Sequence, residues 1–273
     1  MKIFSPRTLL AAALLTALPM GSALACTTSA WSSATPNASA GDPTEVARYS
    51  GTCALKADAA GTSYVTDNTP GNEPIYRARF YVYTGSATSG SKIFAATSDD
   101  DGGGTEAFSV SVDGGALAFA VNGTTVSTTV PVVAQKWYGV EALYRAGGQF
   151  EAKVRGNASP SEVSVVSAGN AGSVNVGSAR LGVLSATSNA VELAFDAFES
   201  TRSEATSVGW LCRGEVTGDG LLNVGDVSTI INEALGNSFA TGQPDATEDG
   251  LVNVGDVSTV ISLILSGDDE CAN

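Results

Sequence analysis

Residues 215 to 226, Glu-Val-Thr-Gly-Asp-Gly-Leu-Leu-Asn-Val-Gly-Asp, lie in register over residues 245 to 256, Asp-Ala-Thr-Glu-Asp-Gly-Leu-Val-Asn-Val-Gly-Asp, at a period of 30 residues. A tandem duplication of this kind obliges the end of the chain to fold as two copies of one small unit. Each copy runs on through Val-Ser-Thr into an apolar stretch, Val227 to Leu235 and Val257 to Leu265. The spacing predicts one amphipathic helix per copy, with Val227, Ile230 and Ile231, or Val257, Val260 and Ile261, on one face.

Calcium takes six to eight oxygen ligands, and a twelve-residue loop supplies them from positions 1, 3, 5, 7, 9 and 12, with Gly at position 6 for the sharp turn. The first copy offers Glu215, Thr217, Asp219, the Leu221 carbonyl, Asn223 and Asp226 around Gly220. The second offers Asp245, Thr247, Asp249, the Leu251 carbonyl, Asn253 and Asp256 around Gly250. Two Ca2+ ions are therefore expected, one per loop. Position 8, Leu222 or Val252, is apolar and would let the two loops pair over a small shared core. The local charge agrees: from Cys212 onward eleven Asp or Glu face Arg213 alone, whereas residues 26 to 211 carry seventeen acids and eleven bases.

The motif Gly-Asp-Gly-x-x-Asn-x-x-Asp, followed by one helix and repeated in tandem, resembles the type I dockerin of cellulosomal enzymes over about sixty residues. The resemblance implies a cohesin-like partner contacted through loop positions 10 and 11 and the first helical turn, in either of two orientations. Those positions are Val224-Gly225 and Val254-Gly255, the same in both copies. The chain departs from the dockerin pattern at Thr217 and Thr247, where Asn or Asp is usual, at Glu215 for Asp, and at Glu248 for Gly. A hydroxyl is a weaker ligand than a carboxylate, and a long side chain crowds a tight loop, so the expected affinity is modest, on the order of 10⁻⁵ M or weaker. A calcium-stabilised clasp that protects the C-terminus stands beside docking as a reading of this tail.

At the other end, Lys2 and Arg7 precede an apolar run from Leu9 to Leu18 and then Ala23-Leu24-Ala25, the pattern of an export signal over residues 1 to 25. No stretch approaches the twenty apolar residues of a membrane span. Cleavage would leave Cys26 first, so a lipid anchor there is an alternative to free secretion. Removing Lys2 and Arg7 takes two positive charges and no negative ones, moving the formal net charge from −14 to −16. Nucleic acid and anionic membranes are poor partners for such a chain. Cys26, Cys53, Cys212 and Cys271 are an even set for an oxidising compartment. Of the three possible pairings, Cys26 with Cys53 and Cys212 with Cys271 is preferred, because each pair then brackets a unit that other signals mark.

Residues 26 to 208 break into short alternating runs between turn signals, which predicts an all-β sandwich, with the calcium module occupying 209 to 273. Tyr76, Ala78, Phe80 and Val82 alternate with Arg77, Arg79, Tyr81 and Tyr83. Ala107 to Val112, Ala116 to Val121 and Thr124 to Val130 are separated by Asp113-Gly114-Gly115 and Asn122-Gly123, both hairpin turns. A further hairpin runs from Trp137 to Tyr144, turns at Gly147-Gly148 and returns from Phe150 to Val154; the last strand is expected over Val191 to Phe198. From Tyr76 to Glu199 the pattern resembles a concanavalin A-like jelly roll of the laminin G kind, with Trp137-Tyr138-Gly139-Val140 and Phe195-Asp196-Ala197-Phe198 in the places of that fold's central and closing strands. The fold class expected is thus mainly β, a jelly-roll sandwich followed by a small α-helical dockerin-like module with two calcium loops.

The chain has no His, which removes Ser-His-Asp and Cys-His nucleophilic machinery and the commonest zinc ligand. A glycosidase needs only two carboxylates at a defined separation. The nearest set, Glu192, Asp196 and Glu199, does not share one face of a regular strand, and these residues are read as strand-surface charges. Asp99-Asp100-Asp101-Gly102-Gly103-Gly104 is read as a turn rather than a calcium loop. Trp31, Trp137 and Trp210 are candidates to stack on sugar rings, with Trp137 assigned to core by its strand pattern. The sequence therefore points to a secreted, non-catalytic sandwich that binds a polysaccharide or a protein, with a calcium-binding tail. The alternative is a polysaccharide-degrading enzyme or accessory subunit attached to a cohesin scaffold.

Overall fold

The structure, a computed structural model, describes residues 26–57, 61–85, 90–101, 103–113, 115–156, 159–167, 170–185, 193–204, 206–267 and 271. The expected export signal at 1–25 and the Val191 and Glu192 positions lie outside the described residues.

Among the described residues two seven-stranded sheets face each other. One runs in the order β1 (Ser33–Ala34), β4 (Ser63–Asp67), β13 (Ser178–Ser185), β6 (Ser91–Thr97), β7 (Glu106–Asp113), β8 (Ala116–Val121) and β9 (Thr124–Pro131). The other runs β12 (Ser159–Ser167), β11 (Phe150–Gly156), β10 (Trp137–Arg145), β5 (Ile75–Tyr83), β14 (Leu193–Thr201), β3 (Ala54–Ala57) and β2 (Ala38–Gly41). Neighbouring strands are antiparallel throughout. Tyr76, Ala78, Phe80 and Val82 of β5 meet Phe94, Phe108, Phe119 and Tyr144 between the sheets, as a two-residue period requires when one face is apolar. The β8–β9 hairpin turns at Asn122 and Gly123, both in the left-handed region at φ 46° and 73°, the conformation that an Asn-Gly turn supplies.

Trp137 is fully buried, as its strand pattern implied, in a core that is not the layer between the sheets. It clusters with Tyr49, Tyr81 and Ala194 on the outer face of the second sheet. The outward residues of β5 are likewise covered: Arg77 and Arg79 are buried and Tyr81 is 1% exposed. The cover is chain. Residues 204 and 206–211 lie across this face, with Arg77 donating to the Glu204 carbonyl at 2.9 Å, Arg79 to the Gly209 carbonyl at 3.0 Å, and the Leu211 amide to Tyr81 Oη at 2.8 Å. Buried Glu141 of β10 joins them, paired with Arg77 at 2.5 Å and accepting from the Ser207 hydroxyl at 2.8 Å. Burial would raise its pKa, yet the Ser207 hydroxyl and Arg77 outweigh burial and hold it below the ordinary carboxylate value.

The end of the chain forms two helices, α1 (Val224–Ala234) and α2 (Val254–Ser266), packed over Val216, Val227, Ile230, Ala246 and Val260 with Leu222, Val252 and Val257 beside them. Position 8 of each loop thus does reach a shared core. Ile231 and Ile261, expected on the core face, are instead 40% and 41% exposed. Disulfides join Cys26 to Cys53 and Cys212 to Cys271, the preferred pairing, with Cα atoms 5.6 and 4.7 Å apart. The first bond uses the sulfur that a lipid thioether at Cys26 would need. Among the described residues no helix is long and apolar enough to cross a membrane.

Candidate functional site

The two loops sit as the sequence repeat implies. Position 6 turns through Gly220 at φ 74° and Gly250 at φ 86°, a region an L side chain rarely enters. Positions 9 and 12 do more than carry oxygens. Asn223 is the N-cap of α1, accepting from the Gly225 amide at 2.7 Å, and Asp226 returns the favour by accepting from the Asn223 amide at 2.9 Å. Asn253 and Asp256 build the same capping box on α2. Each helix therefore begins at loop position 10, three residues before the apolar run that marked it in the sequence.

Asp226 Oδ1 also accepts from the Val216 and Thr217 amides at 2.9 and 3.1 Å and from the Thr217 hydroxyl at 3.1 Å. Asp256 Oδ1 takes the Thr247 amide and hydroxyl, both at 2.9 Å. Position 1 behaves similarly: Glu215 accepts from the Gly218 and Asp219 amides, and Asp245 from the Asp249 and Gly250 amides at 3.1 and 2.6 Å. Asp219 and Asp249 accept from the Leu221 and Leu251 amides, and Asn223 Nδ2 donates to Asp219 and to the Leu221 carbonyl. Each loop is curled around its own carboxylates. Among the described residues no three His, Cys, Asp or Glu side chains converge as a ready metal cluster, because these acids face amides instead.

The donor set nevertheless suits a hard divalent cation: carboxylates at positions 1, 5 and 12, a hydroxyl at 3 and a carbonyl at 7. Charge crowding points the same way in the second loop. Asp245 and Asp256 are completely buried. Burial first, then the Asp256 and Asp249 carboxylates, push Asp245 up to about 8. Glu248 departs from Gly at position 4 and sits at φ 55°, where Gly218 of the first loop has φ 77°. Its side chain is buried and accepts from Tyr49 Oη at 3.0 Å.

Of the three carboxylates considered for catalysis, only Asp196 and Glu199 are described. Glu192 lies outside the described residues. Asp196 is no surface charge: it accepts from the Tyr49, Ser50 and Ala197 amides at 2.7, 2.8 and 2.6 Å. Burial is the larger influence and pushes it up to about 6. Glu199 is 62% exposed at its side chain and pairs with Arg79 at 3.2 Å. A bulge between them, with Ala197 at φ 48°, breaks the regular alternation that the sequence reading assumed.

Sequence reasoning missed one cavity. A cleft of about 450 Å³ opens beneath the N-terminal segment, lined by Thr27, Trp31, Leu55, Asp67, Asp196 and Phe198 among others. The Trp31 and Phe198 rings lie 4.9 Å apart at its wall. Among the described residues none that lines it is basic. Only the lone Trp31 hinted at it.

No protein-family model matches the chain, and no curated protein matches it. Solved structures align at low identity. The binding domain of botulinum neurotoxin serotype G aligns at 14% identity over 55% of this chain and 40% of its own, with a TM-score of 0.39. The LG1-3 region of the laminin alpha2 chain aligns at 17% over 56% and 33%, with a TM-score of 0.41. Endo-beta-1,4-glucuronan lyase from the fungus Trichoderma reesei aligns at 14% over 64% and 92%, with a TM-score of 0.47. This chain spans 40 to 43% of the length of the first botulinum binding domains it matches. At such scores no ligand or activity passes from them to this chain.

Proposed function

We propose that the chain is a secreted, non-catalytic binding protein: a β-sandwich that takes a glycan or a protein ligand, with a dockerin-like tail that holds two calcium ions. The observation that carries it is the pair of loops, each with position 6 in the left-handed region, carboxylates at positions 1, 5 and 12 of the sequence, and the position-12 Asp fixed at the first turn of its helix. Calcium would replace the amide contacts of these acids, and two ions would offset four of the ten net negative charges from Cys212 onward. Isothermal calorimetry of the full chain decides it, with two ions per chain expected and none overturning it.

For the sandwich we place the ligand in the cleft at Trp31. Its volume lies within the range of small-ligand sites. Aromatic faces beside carboxylates that accept from hydroxyls suit a neutral sugar. Binding of cellobiose and xylobiose, followed by fluorescence and lost in Trp31→Ala, is the expected result. The tail keeps a second reading open, docking of a polysaccharide-degrading enzyme or accessory subunit to a cohesin-like protein. Val224 and Val254, each 75% exposed, and Leu235 and Leu265, 70% and 81% exposed, form matched apolar pairs on its surface. Release of reducing sugar from plant polysaccharide would favour that reading, and retention of the chain on the polysaccharide without release favours ours.

A further inference from the structure

We infer that the sandwich is part of the second calcium site: Tyr49, Tyr83, Lys136 and the Trp137 backbone position the loop, so that the two ions bind unequally, the second loop the tighter. This rests on the calcium reading above. The second loop is seated on the sandwich at positions 3, 4 and 5 in succession. The Thr247 carbonyl accepts from Lys136 Nζ at 3.3 Å, the Glu248 carbonyl from the Trp137 amide at 3.1 Å, and the Asp249 carbonyl from Tyr83 Oη at 3.3 Å. Glu248 adds its side chain, held by Tyr49. Gly250 packs so closely on Tyr83 that a Cβ there would lie 2.5 Å from the ring. In the first loop the matching residues, Thr217, Gly218, Asp219 and Gly220, are all exposed.

The seat is itself firmly held. Arg48 and Glu233 of α1 form an ion pair whose side chains are 2% and 4% exposed, and the Gly51 amide donates to the Thr241 carbonyl at 3.1 Å. Tyr49 stacks on Tyr81 with ring centroids 3.7 Å apart and meets Trp137 edge-on. A loop whose backbone is already fixed spends less conformational freedom in closing on an ion, so support converts into affinity. The left-handed Glu248 makes the dependence stronger. A non-glycine residue keeps that conformation only while its surroundings impose it. Coupling is reciprocal, so calcium in the second loop must in turn tighten the seat on the sandwich.

These positioning residues touch the loop, not the ion, and the test separates the two. Calcium is titrated into the full chain by calorimetry, with tryptophan fluorescence recorded in parallel because Trp137 and Trp210 flank the seat. Two unequal steps are expected. Asp256→Ala should abolish the tighter step together with the fluorescence change, and Asp226→Ala only the weaker. The double variant Tyr49→Phe, Tyr83→Phe should weaken the tighter step by roughly five- to tenfold, in the usual range of coupling between sites, and leave the weaker unmoved. Glu248→Gly, which gives the second loop the residue of the first and withdraws its anchor, should bring the two steps together. Equal steps in the wild-type chain, or a Phe double variant that shifts neither step, would overturn the inference while leaving the calcium reading intact. Absence of any calcium binding would overturn both.

Discussion

At the residue scale, Asp196 shows how one carboxylate can be misassigned by strand parity and then reinstated by geometry. Its neighbour Ala197 turns through φ 48°, and the bulge swings Asp196 toward the loop that carries Arg48 and Tyr49. Nothing in Phe195-Asp196-Ala197-Phe198 announces a bulge, since Ala has no preference for the left-handed region. Burial and three amide donors pull the carboxyl in opposite directions, and burial wins, giving about 6 against an ordinary 3.8. The folded chain therefore binds this proton more tightly than the unfolded chain. The stabilisation it contributes is complete below about pH 4 and is lost as pH rises through about 6. The Asp196 carboxyl carbon should titrate near pH 6 by NMR; a midpoint near 4 would show the group open to water. Asp196→Ala leaves the Tyr49 and Ser50 amides without an acceptor and should cost about 2 kcal/mol in denaturant unfolding.

At the element scale, the repeat was legible and the caps were not. Asn-x-x-Asp at loop positions 9 to 12 was read as two oxygen ligands, yet the same spacing is a capping box, and the structure uses it as one on both helices. One pattern serves two ends because both draw on side-chain oxygens at this spacing, directed at amide groups in a cap and at the cation in a calcium loop. Asn223→Ala and Asn253→Ala should each cost about 1 kcal/mol in chelator, where capping alone acts, measured as helix content against temperature. If neither variant lowers the midpoint, the caps contribute nothing measurable. The disulfide acts on the same element. Cys212 and Cys271 close 59 residues around both loops. Replacing both by Ser should lower the tail's stability by about 4 kcal/mol on a chain-entropy basis. Unreduced peptide mapping of the wild-type chain should return this pair and the Cys26–Cys53 pair.

At the scale of the whole molecule, the sandwich and the helices were both foreseen from periodicity, but their contact was not. The alternation in β5 separates Tyr76, Ala78, Phe80 and Val82, which lie between the sheets, from Arg77, Arg79, Tyr81 and Tyr83 on the other face, and it does not say what covers that face. Two arginines and two tyrosines are what a wet sheet face carries, and they are also what a buried polar interface carries; the pattern does not distinguish them. The structure spends them on residues 204 and 206–211 and on the second loop. The consequence is thermodynamic. The tail's own apolar core is small, Val216, Val227, Ile230, Ala240, Ala246 and Val260, and its acids repel one another, so without a cation it depends on the disulfide and on the sandwich for its fold. Ions that bind only the folded tail stabilise it by mass action, about 2.7 kcal/mol for each site at one hundred times its dissociation constant. Scanning calorimetry of the full chain in chelator should therefore show the tail unfolding ahead of the sandwich. In millimolar calcium the two should merge into one transition, since the seat at Tyr49, Tyr83 and Trp137 then joins two parts of comparable stability. Identical traces in chelator and calcium would remove the ion from the account, and two separate transitions in calcium would show that the contact, however well hydrogen-bonded, does not couple the halves.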